Sequence, residues 1–289
     1  MRGFEIVHPG SLREAIAMLD GDDPSVRPWS GGTALMLMMK TGVFQPSRLV
    51  CLAGIENSYS AIAATPDGGL RIGAMATLVS VEYSPDVLRV APVIARAMKR
   101  LSNVRVRNVA RVGGNLAHGD PHMDLPPVLA ALGAEVAVSG SQGQRRIAVE
   151  NLFSGYYETV LNKGELITEV IVPPQRGWSS AYLKCTTRSA DDWPALGVAV
   201  SLKVENGKIA QSRVTIGAAT EKLTRLHSAE AALANAGADD TTFARAADAA
   251  ASEATTVDDS RGSADYKTAL VRVYTRRALQ QAMRHGAVQ

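Results

Sequence analysis

An α+β architecture in two or three compact units follows from three features of the sequence. Two glycine pairs, Gly31-Gly32 and Gly113-Gly114, each stand where a strand-like run gives way to an apolar segment. Asn206-Gly207 lies between two apolar runs, the signature of a hairpin whose turn residues both take positive φ. The last third of the chain is rich in Ala and closes on a long helical pattern over residues 265–284. At 289 residues, with 46% apolar and 20% charged residue types, the chain is long enough to bury a sizeable core.

Phe4-Glu5-Ile6-Val7 reads as the first strand, ended by Pro9. Ser11-Leu12-Arg13-Glu14 reads as a capping box, with Leu12, Ala15, Ile16 and Leu19 on one helical stripe. Residues 27–30 form the next strand and deliver Gly31-Gly32 into a helix over residues 34–40, where Ala, Leu and Met favour that state. Residues 47–52 form a third strand, so a small mixed subdomain covers about residues 1–55. Gly68-Gly69 turns a hairpin into Leu70-Arg71-Ile72-Gly73. From residue 70 to 173 short strands alternate with two helices, residues 92–101 and 125–132. Pro92 suits a first helical turn, and Val93, Ile94, Ala97, Met98 and Leu101 share one face. After Pro173-Pro174 the composition changes, and Gly177 begins a new unit. Strands over residues 195–205 and 208–218 are followed by two Ala-rich helices within residues 229–254, read as exposed and held by alanine propensity, and by the terminal helix.

Charge and cysteine content narrow the function. The net charge of +3 comes from 31 basic and 28 acidic residues spread along the chain, without the basic runs and interleaved aromatics of nucleic-acid binders. The longest uncharged apolar run, residues 33–39, is far short of the roughly 20 needed to cross a bilayer, so no transmembrane segment is expected. The N-terminus carries Arg2 but no apolar leader core, which predicts a cytoplasmic location. Cys51 and Cys185 are far apart and have no Cys neighbours, so neither an iron–sulfur cluster nor a thiol-rich zinc site can be built from this chain alone.

The glycine pairs look like two phosphate-cradling loops. Without side chains, backbone N–H groups can turn toward an anion, and a following helix N-terminus adds a favourable dipole. Ser30-Gly31-Gly32-Thr33-Ala34 and Arg111-Val112-Gly113-Gly114-Asn115 together suit one pyrophosphate. Thr33 and Asn115 supply a hydroxyl and an amide that either bond phosphate oxygens or cap local turns. His118 and His122, four apart with Asp120 and Asp124 beside them, have metal-ligand spacing. Gly119 and Pro121 break any helix between them, so no metal site is expected, and His118 reads as a cofactor or turn contact. No Gly-x-Ser-x-Gly elbow or Cys and His frame supports acyl transfer.

The second loop runs on into Leu116-Ala117-His118-Gly119-Asp120-Pro121-His122-Met123-Asp124 and there resembles the second flavin-binding motif of the FAD subunits of molybdenum hydroxylases, the carbon monoxide dehydrogenase medium chain and the xanthine dehydrogenase flavin domain. The likeness extends to residues 4–19, 152–173, 182–200 and 259–279, in the family's order. It implies a two-subdomain FAD-binding region of the PCMH, vanillyl-alcohol-oxidase-like type over about residues 1–175 (subdomains about 1–55 and 56–175). A C-terminal α+β domain with an antiparallel sheet would cover residues 176–289. The implied cofactor contacts are Ser30, Gly31, Gly32, Thr33, Ala34 and Leu35 from the first loop and Arg111, Val112, Gly113, Gly114 and Asn115 from the second. Residue by residue, the resemblance adds Leu101 and Ile167 as apolar contacts, Asp124 as a hydrogen-bond acceptor and Lys184 reaching the flavin from the third domain. Asp124 also reads as an N-cap for the helix that begins near Leu125. Thr33 and Ala34 stand where the family carries His, Gln or Asn followed by Ser, and Arg111 replaces a small hydroxyl residue.

What the resemblance implies is an electron relay. A large molybdenum-cofactor subunit would oxidise substrate, a small subunit with two [2Fe–2S] clusters would pass electrons, and this chain would hand them from FAD to a terminal acceptor. A dimer of heterotrimers is implied, and no catalytic side chain is expected. The alternatives are a free-standing FAD-dependent oxidoreductase and a non-catalytic assembly subunit with degenerate loops.

Overall fold

The computed structural model describes residues 3–19, 21 and 23–286; Arg2, on which the reading of the N-terminus turned, and residues 287–289 lie outside them. Strand β1 (Glu5–Val7) leads through helix α1 (Leu12–Leu19) to β2 (Val26–Trp29), and β2 through α2 (Thr33–Thr41) to β3 (Arg48–Cys51). The helical crossovers make the three strands parallel, in the order β1-β3-β2. Leu49 and Val50 of the central strand are fully buried, and Leu12, Ala15 and Leu19 of α1 pack on Val50 and Ile55. At the start of α1 the Ser11 hydroxyl accepts from the Glu14 amide, while the Glu14 carboxylate takes the amide of Gly10, one residue earlier than a capping box requires.

The middle of the chain is a five-stranded antiparallel sheet under a layer of short helices. Its strands are β4 (Ile62–Ala64), β5 (Leu70–Gly73), β6 (Glu135–Gly140), β7 (Gly143–Ala148) and β10 (Leu166–Val172), in the order β4-β5-β10-β6-β7; β8 (Phe153–Gly155) and β9 (Glu158–Thr159) form a separate pair. Between β5 and β6 run α3 (Leu78–Tyr83), α4 (Pro85–Val90), α5 (Pro92–Met98), α6 (Val104–Val109), α7 (Val112–Ala117) and α8 (Leu125–Ala131). Sequence reasoning expected only α5 and α8 here, with α5 reaching residue 101. The four missed helices have six residues each, too few to show a 3.6-residue repeat. For three of the four the side-chain cap was the readable signal: Thr77, Ser84 and Asn103 each accept from the amide three residues on.

The third unit is the antiparallel sheet β11-β12-β13-β14 (Trp178–Thr186, Pro194–Glu205, Lys208–Gly217, Thr224–Arg225), followed by α9 (His227–Leu233), α10 (Asp240–Glu253) and α11 (Ala264–Gly286). Asn206 and Gly207 join β12 to β13 with φ of 52° and 75°, the geometry that the Asn-Gly pair predicts. Residues 194–202 of β12 are all buried, because α11 packs on one face of the sheet and α8 on the other. Every residue of α8 is buried, the mark of a helix enclosed on all sides. The Ala-rich helices are not exposed as expected: Ala229, Ala246, Ala247, Ala250 and Ala251 are buried, their small side chains letting α9 and α10 approach the core closely.

Candidate functional site

The first glycine loop sits at the carboxyl end of β2, an edge strand of the parallel sheet. Gly32 takes φ 67°, a left-handed conformation that lets the chain swing directly from strand into α2. Its carbonyl receives the first helical bond, from the Met36 amide at 2.8 Å. Helix geometry then leaves the preceding amides unbonded. Those of Gly31, Gly32, Thr33, Ala34 and Leu35 have no acceptor among the described residues. No side chain caps the helix. The result is a run of unfilled donors at a helix N-terminus, the arrangement that binds anions.

The second loop is built differently. Its glycine pair lies within the first turn of α7, not ahead of it. The amides of Val112 and Gly113 are already bonded to the carbonyls of Ala76 (3.1 Å) and Ala74 (2.8 Å), and that of Asn115 to Arg111 (2.9 Å). A Cβ on Gly113 would lie 2.8 Å from the Ala74 Cβ, so this glycine serves close packing on the end of β5. A Cβ on Gly114 would come within 3.2 Å of the Ser30 hydroxyl, and one on Gly31 would overlap the Val109 carbonyl. The first loop is therefore packed closely against the second at Gly114, and against the residues just before it at Gly31, where no side chain fits.

Between them opens a cleft of about 360 Å³. Ser30, Gly31, Gly32, Thr33, Ala34, Leu35, Arg111, Gly113, Gly114, Asn115, His118 and Ile167 all line it. So do Trp29, Met75 and Tyr157, which sequence reasoning did not single out. Glu165 on the wall is tied to Arg145 at 2.7 and 2.8 Å, and those hydrogen bonds hold its carboxyl below the usual range. Arg27 and Arg111 leave the lining basic. Burial pushes His118 below its ordinary pKa, against the opposing pull of Asp120. Three buried polar atoms of lining residues have no partner among the described residues: Trp29 Nε1, Arg111 Nε and Asn115 Oδ1. Arg111 Nη1 donates to the Met75 carbonyl at 2.9 Å, so its guanidinium is fixed at the wall with another N–H to spare. Unfilled amides, spare donors and one spare acceptor, flanked by Met38, Phe44 and Leu166, fit a ligand that joins a pyrophosphate to an aromatic ring with polar edges.

Leu101, Val112, Asp124 and Lys184 are not brought to the cleft. Leu101 and Val112 are buried at 5% and 1% exposure in the core of the middle unit. Asp124 and Lys184 find each other instead, Nζ to Oδ2 at 2.9 Å, with Tyr182 donating its hydroxyl to Oδ1 at 2.5 Å. Lys184 also donates to the Arg100 carbonyl at 2.8 Å. Burial pushes the Asp124 carboxyl above its usual range, and the Lys184 charge and Tyr182 hydroxyl draw it back only in part. The expected capping role is not realised: Asp124 stands ahead of α8 in a helical conformation and its carboxylate makes no cap bond.

Beside the second loop lies a polar chain that sequence reasoning missed. His122 holds Asp120 at 2.8 Å through Nδ1 and Asp259 at 3.1 Å through Nε2, and the fully buried Lys267 reaches Asp259 at 2.8 Å. Burial works to raise the Asp120 carboxyl, but hydrogen bonds from the His122 ring and amide outweigh it and hold it low. Trp193 stacks on His122 with ring centroids 6.2 Å apart, and the Arg261 guanidinium lies 5.2 Å above Trp193. The segment after the second loop is thus pinned to the turn before α11.

The family of the FAD binding domain in molybdopterin dehydrogenase matches residues 2–175, and that of the CO dehydrogenase flavoprotein C-terminal domain matches residues 181–282. The nicotine 6-hydroxylase medium subunit of Paenarthrobacter nicotinovorans is 31% identical over 95% of this chain and 95% of its own length. The glyceraldehyde dehydrogenase medium chain of Sulfolobus acidocaldarius is 29% identical over 96% of this chain and 98% of its own. A solved structure of carbon monoxide dehydrogenase from Hydrogenophaga pseudoflava superimposes with a TM-score of 0.93 at 32% identity, covering 98% of both chains. This chain belongs to the FAD-binding subunits of the molybdenum hydroxylase family.

Proposed function

We propose that this subunit holds one FAD in the cleft between its two glycine loops and works as the electron outlet of a molybdenum hydroxylase. The observation that carries the reading is the run of unfilled amides from Gly31 to Leu35 at the start of α2, facing the basic lining set by Arg27 and Arg111. Those amides would hold the pyrophosphate, and the second loop, with most of its own amides already bonded, would buttress the first across the Gly31 and Gly114 contacts. Bound FAD supplies the redox chemistry. The chain's residues bind and orient it, with Ile167, His118 and Tyr157 shaping the wall. Val112, Leu101 and the Asp124–Lys184 pair act from behind that wall, the pair by tying β11 to the segment that follows the second loop.

The chain has two cysteines, both buried and far apart, so iron–sulfur clusters must come from elsewhere. We assign that role to a small [2Fe–2S] subunit and substrate oxidation to a large molybdenum-cofactor subunit, in a cytoplasmic dimer of heterotrimers; no helix among the described residues is long and apolar enough to cross a membrane. The relatives named above carry the names of different substrates, yet their medium chains are similar to this one along nearly its whole length, which supports a substrate pocket in another subunit. The test is spectroscopic. Purified alone, the chain should bind FAD in equal amount, and substrates of molybdenum hydroxylases should leave the flavin absorbance unchanged until both partner subunits are added. Bleaching of the flavin by substrate in the pure single chain would reject the relay and favour a free-standing oxidoreductase.

A further inference from the structure

Trp29 ends β2 one residue before the first glycine loop and lines the cleft. Its indole N–H is a donor with no capacity to accept, and it is buried without an acceptor among the described residues. A buried donor left unbonded is costly, and a phenyl ring would fill the same apolar space without that cost. Gly32 adds a second observation. Any side chain at this position would run into Trp29 Nε1, so the N–H edge of the indole is kept directly against the loop whose amides are unfilled. The carboxyl end of a parallel strand, before a helix N-terminus, is where α/β sheets present donors to phosphates. Among the described residues no acceptor bonds it: Glu165, the carboxylate in the cleft lining, is occupied by Arg145, and the spare Asn115 Oδ1 makes no bond to it.

We propose that the Trp29 indole N–H donates directly to the pyrophosphate of the bound dinucleotide, completing the donor set of the first loop from a residue outside it. The inference rests on the reading of the cleft as the FAD site. A donor to a charged oxygen is among the stronger hydrogen bonds, so removing it should weaken binding about tenfold.

The experiment uses the full chain with its tryptophans labelled with nitrogen-15 at the indole. Three tryptophans give three N–H resonances, and Trp29→Phe identifies the one that belongs to Trp29. Titrations with FAD, with ADP (a pyrophosphate without the flavin ring) and with riboflavin (the ring without a pyrophosphate) separate the two halves of the ligand. The Trp29 resonance should move downfield and exchange more slowly with FAD and ADP but not with riboflavin, and Trp29→Phe should bind FAD and ADP about tenfold more weakly at an unchanged melting temperature. Wild-type FAD affinity in Trp29→Phe, or an equal response to riboflavin, overturns the pyrophosphate contact while leaving FAD in the cleft. A wild-type chain that binds no FAD overturns both. Should the variant fold poorly, Trp178→Phe and Trp193→Phe assign the other two resonances, the remaining one is that of Trp29, and its response in the wild-type titrations decides.

Discussion

Asp124 and Lys184 form an ion pair at 2.9 Å with side chains 4% and 1% exposed, linking the segment after the second glycine loop to the first strand of the C-terminal sheet. Two charges so enclosed are stable only together, because each offsets the other's desolvation. The Tyr182 hydroxyl and the Arg100 carbonyl complete the bonding around them. The pair clasps the C-terminal sheet onto the flavin domain.

Breaking one side of the clasp is therefore costly. Asp124→Asn leaves Lys184 buried with no counter-charge and should lower unfolding stability by about 3 kcal/mol. The double variant Asp124→Asn with Lys184→Met should recover much of that loss. Urea unfolding of the two single variants and the double measures the coupling. Additive losses would show that the two residues contribute independently.

The glycines of the second loop should separate folding from binding. Gly113→Ala brings a methyl to within 2.8 Å of the Ala74 Cβ, a contact with no flexible partner to yield, and should lower the melting temperature. Gly114→Val faces only the Ser30 hydroxyl at 3.2 Å, and its branches enter the space between the loops. This variant should fold and lose FAD. The ratio of flavin to protein absorbance after desalting, read beside thermal unfolding, distinguishes the two effects. Stoichiometric FAD in a folded Gly114→Val would place the cofactor elsewhere.

The loops were legible because their information is local: a glycine pair after a strand-like run is readable within ten or so residues. The roles inside them were not. Gly113 and Gly31 exist for the neighbours Ala74 and Val109, contacts between segments distant in sequence. The same limit hid the pairing of Asp124 with Lys184 and of His122 with Asp259, and it made the alanines of α10 look exposed when propensity is silent on burial. Trp29 was not singled out because no local pattern marks it; its unbonded N–H appears only with its surroundings.

Acid should weaken the contact between His122 and the turn before α11. Burial works to raise the Asp259 carboxyl, but hydrogen bonds from Lys267, His122 and the Arg261 amide outweigh it and hold its pKa at about 2, from an ordinary 3.8. A depressed carboxylate contributes stability that is present above 3.8 and lost as pH falls through about 2. With its side chain 22% exposed, solvent screening trims the contribution to about 1 kcal/mol. Asp259→Asn should cost that amount near neutral pH, and the gap between variant and wild type should close between about pH 4 and pH 2. Denaturant midpoints measured across that range test it; a gap independent of pH would assign the loss to packing.

The last expectation concerns the surface through which partners reach the flavin. Leu37 on α2 is 52% exposed and Val109 at the end of α6 is 48% exposed, with Val104 at 53% and Val43 at 74% on or just after the same helices. Single exposed apolar residues are ordinary, but here they lie on or just after two helices, and Gly31, two residues ahead of α2, packs on the carbonyl of Val109, the last residue of α6, at the edge of the cleft. An interface that buries roughly 800 Å² on each side would cover such a patch and bring a partner's electron donor close to the cofactor. Leu37→Asp combined with Val109→Asp changes side chains that do not line the cleft, so FAD loading should hold. Assembly with the partner subunits, followed by size-exclusion chromatography, should weaken about tenfold or more, since a charge forced into an apolar interface lacks a counter-ion. A double variant that assembles like the wild type would move the interface to another face of the subunit.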